Sequence, residues 1–283
     1  MATTVNNPIS TTARGMSFTP DAALPQMPFV LQVSAMTIRS LRIAFRVPAQ
    51  IIPGLIISVF FLFVYTGTLG DASNFLPGLS GESYLGFILP LAVLSAALSG
   101  SGLAGDGIVR DIENGYFDKL ILTPASRSAL LLGHMIAGAM LLVMQCCIVV
   151  GVAFLMGFRP ETGILGVLAL IGFALLLGTA FAGFTVGVAL ITGSSGATQG
   201  ATFLFFPLSF LTATFVPVNL LSGWIRTAAE YNPITYVLDA TRTILNTGWD
   251  GEIVLRGLSS VALMGVVLFA FALYGLRVRT KRR

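Results

Sequence analysis

Apolar residues along this chain gather into six long runs, and none of the runs contains an acidic residue. A helix that crosses the hydrocarbon layer needs roughly 20 apolar residues. Because backbone groups in lipid must find hydrogen bonds within their own segment, each run is predicted to be a membrane-spanning α-helix. The predicted spans are 50–69, 84–105, 129–157, 164–191, 201–217 and 254–276.

Composition supports this pattern. Hydrophobic residues make up 55% of the 283 residues and charged residues 10%, and the mean hydropathy is +0.89. The sequence therefore predicts an all-α membrane protein with six transmembrane helices, in which the third and fourth runs tilt or protrude into water. Ion-coupled carriers usually keep ionisable groups at membrane depth. No ionisable residue lies clearly at membrane depth in the six runs. The energy for any pumping is therefore expected to come from a partner protein.

Basic residues indicate the orientation. An even number of spans places both termini on one side, and cytoplasmic segments carry an excess of lysine and arginine. One set of segments contains 12 of the 16 basic residues: Arg14, Arg39, Arg42, Arg46, Arg110, Lys119, Arg127, Arg277, Arg279, Lys281, Arg282 and Arg283. The opposite set contains Arg159, Arg226, Arg242 and Arg256. Both termini are therefore predicted to be cytoplasmic. The net charge of +4 reflects topology and attraction to anionic lipid, and it indicates no nucleic-acid partner.

Three segments lie outside the permease domain that we predict at 49–276. Residues 1–28 are polar and are predicted to be a disordered cytoplasmic tail, and residues 277–283 a basic cytoplasmic tail. Residues 29–48 repeat arginine and apolar side chains at helical spacing, which predicts an amphipathic helix at the membrane interface with its arginines toward phosphates. A cytoplasmic extension of the first span is the alternative. The repeated residues are Arg39, Arg42 and Arg46 on one face and Ile38, Leu41 and Phe45 beside it.

The segment between the second and third runs reads DGIVRDIENGYFDKLILTPASR over residues 106–127. Ile108, Ile112, Tyr116 and Leu120 recur every fourth residue, which places them on one helical stripe. We predict one charged amphipathic cytoplasmic helix over 106–121, joined to two spans and suited to transmitting force. The alternative is a solvated loop that only keeps the protein oriented.

Two motifs resemble one family. The first motif resembles the E-x-G-x-x-D-x-L-x-x-T-P-x-S-R…G stretch of bacterial ABC transporter permeases of type 2, in the branch of daunorubicin-type drug exporters. Its residues are Glu113, Gly115, Asp118, Leu120, Thr123, Pro124, Ser126, Arg127 and Gly133. The second motif resembles the N-P-x-T-Y-x-x-D-A-x-R segment of the same branch. Its residues are Asn232, Pro233, Thr235, Tyr236, Asp239, Ala240 and Arg242. The resemblance covers roughly residues 30–280.

The resemblance implies a half-transporter in the bacterial cytoplasmic membrane. Such a chain pairs with a second permease, identical or related, and docks a separate ATPase subunit through the loop after its second span. It would export hydrophobic or amphipathic compounds, either drugs or lipids. An ATP-independent transporter or channel, an exporter of a lipid-linked glycan, and a membrane enzyme or scaffold are the alternatives. The candidate ATPase-coupling residues are Arg110, Asp111, Glu113, Asp118 and Lys119.

Catalytic chemistry of the chain's own is not expected. The phosphate-binding loop of ATPases needs a lysine directly after a glycine, whereas the two lysines follow Asp118 and Thr280. One histidine, His134, and two adjacent cysteines, Cys146 and Cys147, provide no recognisable metal site or catalytic triad. No cofactor is therefore expected in this chain, and ATP and Mg²⁺ are expected on the partner.

Carboxylates near the second span offer a weaker metal hypothesis. Asp106, Asp111 and Glu113 are hard oxygen ligands of the kind that divalent cations prefer. Arg110 and Lys119 lie among them, so an ion-paired helix is favoured over a metal site.

The stretch before the last run is predicted to form two short outer helices. Residues 218–231 are too short and too charged to span a membrane, which indicates a re-entrant or interfacial helix, and 234–247 is predicted to be a second one. Asp239 and Arg242 are three residues apart and can form an ion pair, either at a transport exit or as a rim pair with no role in transport. The candidate outer-gate residues are Asn232, Pro233, Tyr236, Asp239 and Arg242.

Candidates inside the spans are of two kinds. Gln145, Phe206, Phe210 and Thr214 are possible pathway residues. Gln145 is expected to face protein, as a tie between helices or as a lining group, because an amide that faces lipid loses its hydrogen bonds. Gly183 and Gly187 form a G-x-x-x-G pair that permits close helix packing.

Overall fold

The computed structural model describes residues 27–70, 84–121, 126–204, 207–208, 211–212 and 221–281. Within these ranges every regular element is a helix. The helices are α1 (Phe29–Arg46), α2 (Ile52–Leu69), α3 (Tyr84–Glu113), α4 (Tyr116–Ile121), α5 (Arg127–Leu155), α6 (Gly163–Thr192), α7 (Ser195–Phe203), α8 (Gly223–Tyr231), α9 (Pro233–Asn246) and α10 (Gly251–Lys281), with a 3₁₀ turn at Pro48–Gln50 between α1 and α2.

Four of the described helices are long and apolar enough to cross a membrane: α3, α5, α6 and α10. They confirm the predicted spans at 84–105, 129–157, 164–191 and 254–276. The α2 helix is apolar but shorter, and it coincides with the predicted span at 50–69. The protein is thus a helical multi-pass membrane protein.

The structure describes only part of the fifth predicted span, 201–217. Helix α7 begins at Ser195, where the Ser194 side chain accepts a hydrogen bond from the backbone N–H of Ala197. Gly193 ends α6 just before it with a φ of +62°, in the left-handed region that favours glycine. Most of 205–217, including Phe206, Phe210 and Thr214, lies outside the described residues.

The prediction of one continuous helix over 106–121 is wrong. Helix α3 continues from the membrane to Glu113, and α4 is a separate helix of 6 residues that begins at Tyr116. Gly115 lies between them with a φ of +66°, which interrupts the helical hydrogen bonds. The fourfold spacing of apolar residues continues across this break, so periodicity alone did not reveal it.

Helix α3 is the centre of the bundle. Nearly all of its residues from Tyr84 to Val109 are buried, and Ile88, Leu89, Leu94 and Leu98 are among the largest fully buried side chains. Helices α2, α5, α6 and α9 pack around it. The last helix, α10, packs on α6 and α9 and leaves much of its apolar surface exposed, as expected for a lipid-facing helix.

Glycines allow α6 and α10 to approach closely. A Cβ atom built on Gly187 would lie 2.5 Å from the Phe271 ring and 3.3 Å from the Ala272 Cα. A Cβ on Gly183 would lie 3.1 Å from the backbone oxygen of Leu268. Both residues of the predicted G-x-x-x-G pair therefore face a neighbouring helix of the same chain.

The bundle has two distinct ends. The C-terminal end of α3, α4 and the N-terminal end of α5 meet helix α1 at one of them, which we call the α1 end. The N-terminal end of α3 meets α9 at the other, which we call the α9 end.

Candidate functional site: an ion-paired junction of three helices

A carboxylate at the α1 end of the bundle joins three helices. The Asp111 side chain, on α3, accepts two hydrogen bonds from Arg39 on α1, from Nη1 to Oδ2 at 2.8 Å and from Nη2 to Oδ1 at 2.5 Å. His134, near the start of α5, places Nε2 3.2 Å from Asp111 Oδ2. We call Arg39, Asp111 and His134 the Asp111 junction. It connects α1, α3 and α5 through one group.

The junction is largely removed from solvent. The side chains of Asp111 and His134 are 5% and 3% exposed, and Arg39 is 28% exposed. The hydrogen bonds that Arg39 donates to Asp111, reinforced by the charge of the carboxylate, raise the pKa of the Arg39 guanidinium against the opposing effect of burial. Fork-shaped pairing of this kind fixes direction as well as distance, so the junction restrains how α1 lies on α3.

Two further contacts complete the surroundings of the junction. The Arg39 guanidinium carbon lies 3.9 Å from the centroid of the Tyr116 ring, which links α1 to the beginning of α4. The His134 Nδ1 lies 3.0 Å from the Leu130 carbonyl oxygen, one turn earlier on α5. Both histidine nitrogens therefore lie close to oxygen atoms.

Small residues and a glutamine make this approach of helices possible. A Cβ on Gly133 would collide with Met36 of α1, and a Cβ on Gly107 would lie 2.7 Å from the His134 ring. The Gln32 side-chain oxygen accepts a hydrogen bond from the Ser126 backbone N–H at 2.9 Å, which fastens the beginning of α1 to that of α5. Helix α1 is thus attached at two points along its length.

The structure corrects the expectation that the arginines of the first helix all point to lipid phosphates. Arg42 and Arg46 are exposed, but Arg39 turns inward to Asp111. The physical reason is that a buried carboxylate is costly without a partner, and Arg39 is placed to neutralise it. Helix α1 is also not a continuation of α2, since Val47 and the turn at Pro48–Gln50 separate them.

The candidate coupling residues fall into two groups. Glu113 and Lys119 are exposed, whereas Arg110 is half-buried and Asp111 is buried. The side chain of Asp118 lies outside the described part of the structure. Because Asp111 is covered by this chain's own residues, it contributes to a joint between helices and not to a free surface.

Sequence reasoning found no metal site or catalytic triad around His134 and missed its contact with Asp111. The usable signal was slight: a single histidine, between Gly133 and Met135, begins the same span that the charged segment leads into. Only the folded arrangement brings positions 111 and 134 together.

At the α9 end, Arg242 is buried against α3. Its Nε donates a hydrogen bond to the Phe87 carbonyl oxygen at 3.0 Å, and its guanidinium carbon lies 3.6 Å from the Phe87 ring centroid. Burial lowers the pKa of Arg242 to about 10, while the charge of Asp239 opposes this effect. Burial also raises the pKa of Asp239. Arg242 is 6% exposed, so it lies inside the bundle and not at a solvent-exposed rim.

Asn232 connects α9 to the segment that follows α7. Its Oδ1 accepts a hydrogen bond from the Ile234 N–H at 3.0 Å and so caps α9. Its Nδ2 donates to the carbonyl oxygens of Leu208 at 2.9 Å and Leu211 at 3.3 Å. Next to it, the Pro233 carbonyl oxygen accepts a hydrogen bond from Ser260 on α10 at 2.8 Å. The Tyr236 hydroxyl donates to the Glu230 carbonyl oxygen at 2.7 Å, which joins α9 to α8.

Substituting Asn232 separates these two roles. We expect Asn232→Ala to destabilise the protein by about 1–2 kcal/mol, since it removes a helix cap and the amide donor together. Asn232→Ser keeps a cap acceptor and loses the amide donor to Leu208 and Leu211, so we expect a smaller effect. Apparent melting temperatures of the purified variants in one detergent measure the difference, and equal melting of Asn232→Ala and wild type would contradict the assignment.

Gln145 faces protein, as expected, and is 1% exposed. Its Oε1 lies 3.4 Å from the position of a Cβ on Gly100 of α3, and it has no hydrogen-bond partner among the described residues. The described residues therefore show no hydrogen bond between helices through the Gln145 side-chain oxygen. The described residues also contain no group of three or more His, Cys, Asp or Glu side chains that could hold a metal ion.

The sequence matches the ABC-2 type transporter family over residues 31–246, which include most of α1, the Asp111 junction and all of α9. It is 27% identical over 214 residues to the probable doxorubicin resistance ABC transporter permease protein DrrC of Mycobacterium tuberculosis, covering 76% of each chain. It is 25% identical over 212 residues to the daunorubicin resistance ABC transporter permease protein DrrB1 of Streptomyces coeruleorubidus, covering 74% of each chain.

A more distant relative is the putative transport permease ycf38 of Pyropia yezoensis, at 21% identity over 231 residues, 77% of this chain and 75% of the relative. The family match extends over more than half of the chain and includes both sequence motifs that suggested the resemblance. The chain therefore belongs to the ABC-2 type transporter family.

Proposed function

We propose that this chain is the permease subunit of an ATP-driven exporter that moves hydrophobic or amphipathic compounds, drugs or lipids, out of a bacterial cell. The family match supports the proposal, and so do two relatives that are named as doxorubicin and daunorubicin resistance permeases. ATP and Mg²⁺ bind a separate ATPase subunit, because this sequence lacks the glycine–lysine pair of a phosphate-binding loop.

The Asp111 junction is the observation that supports this function most directly. It joins α1, α3 and α5 beside the short α4 helix, and Tyr116 of α4 packs on Arg39. In the proposal, the ATPase presses on the exposed surface that includes Glu113 and Lys119. Because the junction restrains three helices together, displacement of α4 would move them as a unit. Helix α3 would carry that movement into the buried centre of the bundle.

The proposed topology has six spans, with the α1 end and both termini in the cytoplasm. The excess of basic residues in the corresponding segments supports this orientation. Helices α8 and α9 then form a cap on the outer side, held by Asn232 and Arg242. A second permease, identical or related, completes the exporter in the bacterial cytoplasmic membrane. No nucleic acid takes part.

The decisive experiment reconstitutes the permease with and without its ATPase. We expect the chain to copurify with an ATPase subunit, and hydrolysis in proteoliposomes to increase when a hydrophobic cationic drug such as doxorubicin is added. ATP-dependent accumulation of the drug in inverted vesicles should require both proteins. Uphill drug flux by the permease alone would overturn the proposal and favour an ATP-independent transporter.

Glu113→Lys is expected to uncouple hydrolysis from transport. Glu113 is exposed at the end of α3, and reversing its charge should weaken docking of the ATPase without disturbing buried packing. We expect drug-stimulated hydrolysis to fall at least about fivefold, within the range that a charge change at an interface produces. Glu161→Lys, which changes an exposed glutamate at the α9 end, is the matched control and should behave as wild type. Normal drug export by the Glu113 variant would contradict this role.

A further inference from the structure

A cavity of about 370 Å³ lies between α2, α3 and α7. Its walls are mostly apolar, with Ile57 and Phe61 from α2, Leu98 from α3 and Phe203 from α7. Six of the fifteen lining residues are polar, and they include Gln199 and Asp106. An apolar cavity with a small number of converging polar groups is the usual form of a site for a small molecule. The Asp111 junction contributes no residue to it.

Asp106 distinguishes this cavity from an ordinary gap in a membrane bundle. It lines the cavity near the α1 end of the bundle, and its Oδ1 is buried without a hydrogen-bond partner among the described residues. The described residues that line the cavity include no lysine, arginine or histidine. Arg110, one turn further along α3, lines a different and smaller cavity beside Arg39 and His134. The cavity thus presents a carboxylate to a mostly apolar space, and the nearby charge of Arg110 acts on that carboxylate from outside the cavity.

We propose that this cavity binds an amphipathic organic cation, with the positive group at Asp106 and the apolar body between α2, α3 and α7. This proposal rests on the proposed function. It adds that the substrate carries a positive charge and that Asp106 binds that charge. The Asp106 carboxylate is half-buried with one fully buried, unpartnered oxygen, and a ligand cation supplies a partner for it. A neutral ligand leaves the cost of that burial in place, and an anion increases it. The aromatic faces of Phe61 and Phe203 suit a cation as well as an apolar body.

Equilibrium binding to the purified full-length chain in lipid nanodiscs tests the proposal. The probe is radiolabelled tetraphenylphosphonium, and the competitors are dodecyltrimethylammonium and neutral dodecanol, which share a chain length and differ in charge. We expect saturable binding of the probe by wild type, displaced by the ammonium compound at concentrations at which dodecanol has no effect. This competition uses wild-type protein, so its result does not depend on the folding of any variant.

Variants then test the residue. We expect Asp106→Asn, which keeps the shape and removes the charge, to weaken probe binding at least about tenfold, as for removal of one partner of a buried charge pair. Asp106→Glu should retain most of the binding. Glu161→Gln, an exposed carboxylate outside the cavity, should bind as wild type. Melting temperatures of the variants report whether each one is folded.

Three outcomes would overturn the proposal: no saturable binding by wild type, equal displacement by dodecanol and the ammonium compound, or probe binding by folded Asp106→Asn within twofold of wild type. None of them involves the ATPase. Copurification of Asp106→Asn with the ATPase, and its hydrolysis without drug, separately report the proposed function. A permease that couples normally to the ATPase but binds no cation would therefore refute this site alone.

Discussion

Asp111→Ala is expected to destabilise the protein by about 3 kcal/mol and to abolish stimulation of the ATPase by drug. Breaking a buried ion pair typically costs about 3–5 kcal/mol because it leaves the partner charge uncompensated, and the partial exposure of Arg39 places this case at the lower end. The same change releases His134 and frees α1 from α3. Apparent melting temperature in detergent measures the first effect, and drug-stimulated hydrolysis in proteoliposomes measures the second.

Two controls separate stability from coupling. Glu113→Ala removes an exposed carboxylate two residues further along the chain and should leave the melting temperature nearly unchanged. The double variant Arg39→Met with Asp111→Leu replaces the pair by apolar side chains of similar size, and it should recover much of the lost stability. We expect it to remain poorly coupled, since the fork geometry that orients α1 on α3 is gone. If Asp111→Ala had the melting temperature and the drug-stimulated hydrolysis of wild type, the junction would have no role in stability or in coupling to the ATPase.

Gly187→Leu is expected to have a comparable effect on stability through sterics alone. A Cβ at this position would already lie 2.5 Å from the Phe271 ring, and the Gly187 backbone oxygen lies 2.8 Å from the Cβ position of Gly275. A leucine must therefore push α6 and α10 apart. Overpacking typically costs about 1–3 kcal/mol, and a branched side chain at a backbone contact belongs at the upper end. Melting temperature and expression level of the purified variant measure the result.

The same helix provides a matched control. Gly172 also lies on α6, but a Cβ there meets no atom of the described residues within 4 Å. Gly172→Leu changes the same residue types in the same helix without forcing a contact, and we expect it to melt close to wild type. Equal melting temperatures for the two variants would show that α6 and α10 do not pack through Gly187.

Much of the architecture was readable from the sequence because lipid imposes a simple condition. A segment in hydrocarbon must be apolar over about 20 residues and must satisfy its own backbone hydrogen bonds, so the runs at 84–105, 129–157, 164–191 and 254–276 could only be helices. The charged stretch at 106–127 and the segment beginning at Asn232 carried the family resemblance, and the family match confirms it. The sequence also showed that neither lysine directly follows a glycine, as the lysine of a phosphate-binding loop must.

Element boundaries were less predictable where one residue decided them. Helix α3 continues past residue 105 to Glu113, and a positive φ at Gly115 separates it from α4. The apolar spacing from Ile108 to Leu120 passes over that glycine and suggested one helix. Likewise, the beginning of α7 at Ser195 depends on a cap and on the glycine that ends α6, features that a count of apolar residues does not detect.

By itself, the sequence determined that this is a helical membrane protein, which segments of it are apolar enough to cross, and which family it resembles. These properties depend on composition and order along the chain. The tertiary structure alone decided that Arg39 and His134 meet Asp111, that Arg242 is buried on Phe87, and that Asp106 faces a cavity between three helices. The partners in these contacts come from helices far apart in the sequence. Whether a charge lies in solvent, in an ion pair or beside an empty space depends on how those helices pack, which no local pattern records.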